Sequence, residues 1–186
     1  LVSTLEAYFQ GKKALFQGLA IENLEKDWNA YPVLHLDLSG VTYTEENVLD
    51  EKMENTLQCW EKTYGIDNTF RVDSIRFSNI IDAAYEKTDK PVVVLIDEYD
   101  KPLLDTAGNE RLREAFRSRL QGFYSMMKSR DGKLRFGFLT GVTKVGKLSI
   151  FSGLDNLNDI SMDYRYADIC GISESDLHAY FDGSVQ

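Results

Sequence analysis

The order of apolar segments predicts an α/β fold, with a parallel β-sheet between helical layers. Residues 92–96 (Val-Val-Val-Leu-Ile) are an unbroken apolar run between Pro91 and Asp97, the pattern of a strand buried on both faces. Two further strand-like segments, at 33–38 and 134–140, precede and follow it,. Segments with apolar residues three and four apart separate the strands,, and such alternation builds parallel sheets with helical crossovers.

Along the chain, residues 1–10 place Leu1, Leu5, Tyr8 and Phe9 on one helical face, with Gly11 as a stop,. A short apolar patch of Leu15, Phe16 and Leu19 follows, and then a polar run around Asp27. The first strand, from Pro32 to Leu38, ends at Ser39-Gly40. Thr44 is expected to open a helix with Met53, Leu57, Trp60 and Tyr64 inward and Gly65 at its C-terminal cap,. Ser74 is expected to cap the next helix, which turns Phe77, Ile80, Ile81 and Ala84 inward and runs to about Lys87,. After the central strand, a long helix over 109–130 carries Leu112, Phe116, Leu120, Phe123 and Met127 on one face. Asp131-Gly132 is a turn into the third strand, and a last helix is expected from Ser173, with Glu174 and Asp176 in its first turn,.

Composition narrows the function classes. At 43% hydrophobic and 12% aromatic residues the chain has the makings of a packed core,. A net charge of −9 disfavours a broad nucleic-acid-binding face,. Cys59 and Cys170 are far apart, and His35 and His178 are the only histidines, too few ligands for a structural zinc site. Two unpaired cysteines fit a reducing cytoplasm, and no stretch approaches the apolar length of a membrane span,. Because the chain starts at Leu1 with no N-cap before its first helix, it is expected to be a fragment or to have had its N-terminus removed.

Chemistry concentrates at the end of the central strand. Asp97 and Glu98 follow Ile96 directly, which sets two carboxylates at the C-terminal edge of the sheet, where ligands of open α/β proteins bind. The first carboxylate suits Mg²⁺, an ion that takes oxygen ligands. The second suits a base that deprotonates water for attack on a phosphoryl group. The competing reading is an acid that merely caps the next helix. At the end of the third strand, Thr140 offers a hydroxyl suited to a phosphate or the attacking water; turn satisfaction by Thr140 and Thr143 is the alternative,. No GxxxxGK[ST] phosphate loop is present: the Gly-Lys steps at Gly11 and Gly146 follow no buried strand and lack the hydroxyl residue,.

Taken together, LVSTLEAYFQGKKALFQGL (1–19), YPVLHLDLS (31–39), KPVVVLIDEYDKPLLD (90–105), FLTGVTKVGKLSIFSGLDNLNDIS (138–161) and YADICGISESDL (166–177) touch nearly the whole chain. In these segments the chain resembles the AAA-ATPase-like family of bacterial proteins, in which such a domain usually precedes a restriction-endonuclease-like nuclease domain. The resemblance implies a three-layer P-loop NTPase-type fold over residues 1–186, incomplete because the first strand and phosphate loop lie upstream. It implies ATP and Mg²⁺ as cofactors of the full-length protein. Asp97 would hold Mg²⁺ through water, Glu98 would be the catalytic base of the Walker B pair, and Thr140 the sensor. Thr143 and Lys144 are the candidate nucleotide contacts, against a solvated loop for Lys144 and Lys147.

The implied sheet order sets 33–38 beside 92–97 beside 134–140, all parallel, with the acid-bearing strand central. The edge at 134–140 would then be bare, with Phe136 and Phe138 partly uncovered, and would invite self-association. Arg111, Arg113, Arg117 and Arg119 read either as a source of an arginine finger or as a solvated face with intrahelical partners such as Glu110 and Glu114,. Nucleic acid would be met only through the nuclease region, which this chain lacks. The rival function is a degenerate P-loop fold serving as a docking or oligomerisation module.

Overall fold

The computed structural model describes all residues except 68, 143–149, 152, 153, 155, 172, 174–176 and 179–186. Residues Val2–Asp155 form one unit, and residues 156–186 with Leu1 form another. In the first unit lies the expected α/β architecture. Its strands are β1 (Val33–Asp37), β2 (Val92–Asp97) and β3 (Leu134–Leu139). They pair in parallel in the order β1-β2-β3, with the acid-bearing strand in the middle. Its helices are α1 (Val2–Phe9), α2 (Ile21–Leu24), α3 (Glu46–Tyr64), α4 (Asp73–Thr88), α5 (Lys101–Asp105) and α6 (Glu110–Ser129).

All five apolar residues of β2 are essentially inaccessible, as an unbroken run on a central strand requires,. One face of the sheet packs on α1: Val93 and Leu95 cluster with Val2 and Phe9, and Phe136 and Phe138 lean on the same cluster. Phe136 stacks on the Phe9 ring at 5.1 Å between centroids. The two edge-strand aromatics are half-buried, in keeping with the expectation that they are partly uncovered. The other face meets α4, which packs between α3 and α6 in a layer of three helices. There Phe77 of α4 stacks on Phe123 of α6 at 4.2 Å.

Helix faces follow the apolar spacing, whereas helix starts do not. Met53, Leu57, Trp60, Phe77, Ile80, Ile81, Ala84 and the five expected residues of α6 are buried. Thr44 does not open α3, which starts at Glu46 after an extended Glu45. Ser74 lies inside α4, whose N-cap is Val72 with no side-chain cap bond. Val2, the first residue of α1, is buried, whereas Leu1, expected on the same face, precedes the helix and is exposed. Asn109 does cap α6, its side chain accepting from Leu112 N at 3.2 Å. In the second unit, Asp163 accepts from Arg165 N at the head of a short turn, Tyr164–Tyr166. The helix expected from Ser173, with Glu174 and Asp176, lies largely outside the described residues.

Polar ties hold the layers in register. Asp82 of α4 accepts from Arg130 Nε at 3.0 Å and from Lys133 Nζ at 2.6 Å, fastening α4 to the turn that enters β3. Burial by itself would raise the Asp82 carboxyl, but the bonds from Lys133 and Arg130 outweigh it and hold the group below its ordinary value. A folded-state value below the unfolded one adds stability that is complete above the unfolded value. That stability is lost as pH falls through the depressed one. The stability gap between wild type and Asp82→Asn in urea melts is accordingly expected to be full at pH 6 and to shrink as pH drops below about 4. A gap constant down to pH 2 would rule this out.

Candidate active site

Parallel pairing brings the strand ends to one edge. Asp37 and Asp97 are register partners, and Leu38 N donates to Asp97 O at 3.0 Å. Beyond β3, Thr140 N donates to Ile96 O at 2.9 Å, so the β2–β3 ladder continues one step past the strand. Thr140 and the acid pair are therefore neighbours, as the sequence predicts. The Thr140 hydroxyl donates to Asp97 Oδ1 and accepts from the Glu98 backbone N–H at 3.2 Å. One hydroxyl thus ties the first carboxylate to the backbone of the second.

Glu98 adopts φ +52°, a left-handed conformation that costs a non-glycine residue about 1–2 kcal/mol. The turn is held by Thr140 Oγ1 on Glu98 N and by Thr140 O on Tyr99 N at 2.9 Å. Strain of this kind persists where the surroundings over-determine it, which is common at functional sites. Asp97 and Glu98 are both partly accessible, unlike the rest of the strand. The Glu98 carboxylate makes no hydrogen bond to any described residue.

The helix α1 points at the same edge. Its last residue, Phe9, accepts through its carbonyl from Tyr31 N at 2.7 Å, just before β1 starts. One turn earlier, Glu6 meets His35 Nδ1 at 2.9 Å, halfway along β1. So α1 runs antiparallel to the strands, and its N-terminal end, with the positive pole of its dipole, faces the strand ends.

Several residues around this edge carry no sequence signal. Asp37 accepts from Ser39 N at 2.7 Å; burial pushes its carboxyl up, but this bond and the charges of Lys52 and His35 bring it below the ordinary value. Tyr43 is fully buried, its hydroxyl donating to Leu38 O at 2.9 Å. Burial, and then the charges of Asp37, Asp105 and Glu98, hold its phenol well above the usual range. Tyr43 N donates to Asp105, whose carboxylate also pairs with Lys101 at 2.7 Å. A loop tyrosine and a pair within a five-residue helix have no periodicity to announce them.

Thr143 and Lys144, and Lys147 with them, lie outside the described residues. Among the described residues no three acids, histidines or cysteines converge as a metal site. The donor set fits Mg²⁺ only in the manner usual for this ion, which takes one or two carboxylates and completes its shell with water and phosphate oxygens. Of the arginines on α6, Arg113 pairs with Glu110 and Arg117 with Glu114. Arg119 instead reaches Asp73 at 2.6 Å and also Asp50.

A parallel sheet with acids ending its central strand and a hydroxyl ending the next, backed by an antiparallel helix, is consistent with a partial P-loop-type fold. The chain belongs to the AAA-ATPase-like family, described as predicted AAA-ATPases, whose profile matches residues 1–151. It is 39% identical over 181 residues to a protein of Azotobacter chroococcum mcd 1, described as an uncharacterized protein in the vnfD 5′ region. That match covers 97% of this chain and 35% of the relative, so the chain spans about a third of the relative's length. No solved structure matches it. Among the described residues no helix is long and apolar enough to cross a membrane.

Proposed function

We propose that residues 1–186 are part of the nucleotide-binding domain of an ATP-hydrolysing P-loop protein, with the acid pair as its Walker B element. Support rests above all on Thr140, whose hydroxyl bonds both the Asp97 carboxylate and the Glu98 N–H at the sheet's C-terminal edge. A scaffold has no chemical need for two accessible acids and a bridging hydroxyl there.

Asp97 would hold Mg²⁺ through water, with Oδ1 kept in place by Thr140. When bound, the ion neutralises charge on the phosphate oxygens. Glu98 takes a proton from the attacking water, its free carboxylate held at the strand end by a strained turn. Thr140 fixes the spacing between these two groups and senses the reacting phosphate. The positive end of α1 favours the triphosphate's negative charge. Thr143 and Lys144 would add contacts to the nucleotide from the segment after β3.

The GxxxxGK[ST] motif that forms an amide cradle for a triphosphate does not occur in residues 1–186, and two carboxylates repel phosphate. A strand carrying that cradle would pair along the outer edge of β3, and self-association through 134–140 would compete for the same edge. The 186-residue chain is expected to bind ATP–Mg²⁺ weakly or not at all by calorimetry. The full-length protein is expected to bind it with micromolar or better affinity and to encode Gly-Lys-Ser or Gly-Lys-Thr shortly before Leu1. A full-length protein without that loop would sink the proposal in favour of the docking module, whereas micromolar binding by the 186-residue chain would contradict only the need for the loop.

A further inference from the structure

We infer that Asp100 is a positioning residue, which locks the end of β3 onto the acid-bearing turn and so sets where Thr140 and Glu98 stand. The inference rests on the hydrolysis reading above. Asp100 is 1% exposed and occupies the N-cap position of α5. An aspartate there ordinarily accepts from an N–H of its own helix, yet this side chain makes no such bond. Its Oδ1 instead accepts from Val142 N at 3.1 Å, across to the segment that leaves β3.

That contact completes a continuous lacing. From Thr140 N on Ile96 O, through Glu98 N on Thr140 Oγ1 and Tyr99 N on Thr140 O, it ends at Val142 N on Asp100 Oδ1. Every bond crosses between the two strand ends, with Thr140 and Val142 donating from the β3 side and Glu98 and Tyr99 from the β2 side, although the chain has left regular strand geometry. Asp100 is the last rung, and without it Gly141 and Val142 can swing away and take the Thr140 hydroxyl with them.

Gly141 shows how closely the two segments are pressed together. A Cβ at this position would lie 2.5 Å from Tyr99 Cε1 and 2.7 Å from Asp100 Oδ1. Neither neighbour yields easily: Tyr99 is 5% exposed and packs on Phe151 at 4.8 Å between ring centroids. The Tyr124 hydroxyl also donates to Tyr99 O at 3.4 Å. The turn after β2 is thus a fixed wall, and Thr140-Gly141-Val142 is fitted against it.

The test uses the full-length protein with Asp100→Ala, Asp100→Asn, Gly141→Ala and Glu98→Gln. Turnover and KM for ATP are read together with hydrogen exchange at the Val142 amide. Asp100→Ala is expected to speed that exchange at least about 10-fold and to lower kcat about 10- to 100-fold, because small misplacements of reacting groups are costly. A purely positioning role should leave KM within about 2-fold. Asp100→Asn retains an acceptor oxygen and should restore both readouts. Gly141→Ala leaves Asp100 intact but forces the segments apart, so it should reproduce the Asp100→Ala pattern and stands in for that variant if it does not fold. Unchanged Val142 exchange in both alanine variants, or Asp100→Asn as impaired as Asp100→Ala, would overturn the positioning role. Full turnover in Glu98→Gln would overturn the hydrolysis reading instead, with Val142 exchange still reporting on the lock.

Discussion

Glu98→Gln in the full-length protein is expected to keep ATP binding and to lose at least about 100-fold in turnover, the usual contribution of a general base. The substitution is nearly isosteric and removes one capability, since an amide cannot accept a proton from water. It breaks no described contact. The Glu98 bond in the lacing comes from its backbone N–H, and its carboxylate bonds to no described residue. The left-handed turn at φ +52° is equally open to either side chain. Melting temperature should therefore stay put while hydrolysis fails, which separates a chemical role from a structural one. Because binding persists when chemistry stops, the variant should also accumulate the ATP-bound state. Hydrolysis near the wild-type rate would show that another group takes the proton and would reopen the assignment of the whole edge.

What was legible in the sequence is what local pattern encodes. Five consecutive apolar residues ending in two acids specify a central strand and set both acids at its C-terminal end, and β2 has that place and burial. The inward faces of α3, α4 and α6 follow from three- and four-residue spacing because burial of a stripe is a property of the helix itself. Thr140 is legible because a strand followed by a hydroxyl brings that hydroxyl to the strand-end edge. Contacts between segments distant in sequence are not written this way. No local pattern pairs Asp100 with Val142, and only the fold brings them together. Ser74 and Thr44 have the right chemistry for caps, but packing sets where α4 and α3 begin. Arg119, indistinguishable in the sequence from Arg113 and Arg117, turns to α3 and α4 while they stay on their own helix.

Arg76 is the sharpest case of such a contact, and its removal carries the largest expected cost in stability. No local pattern marks this residue, and its side chain is 5% exposed. Nε and Nη2 each reach a carboxylate oxygen of Glu61 at 2.8 Å, a bidentate fork between α4 and α3, and Nη1 meets Glu54. These bonds, with the Glu61 pair foremost, hold the guanidinium even further above neutrality than usual against the opposing effect of burial. The Glu61 side chain is 9% exposed, whereas that of Glu54 is 48% exposed. Truncation to Arg76→Ala leaves the Glu61 charge buried without its fork, a change that costs about 3–5 kcal/mol in comparable pairs. Loss of Glu54, which water can reach, should cost no more than about 1 kcal/mol. Replacing the pair together, as Arg76→Met with Glu61→Leu, removes both charges and keeps the volume, so stability should return to near wild type or exceed it. Urea melts of the four proteins would decide the matter. An Arg76→Ala cost under about 1 kcal/mol would mean that water or the other groups around Glu61 compensate its charge when the fork is gone. A double variant as unstable as the single one would place the value of this pair in the shape of its side chains and not in their charge.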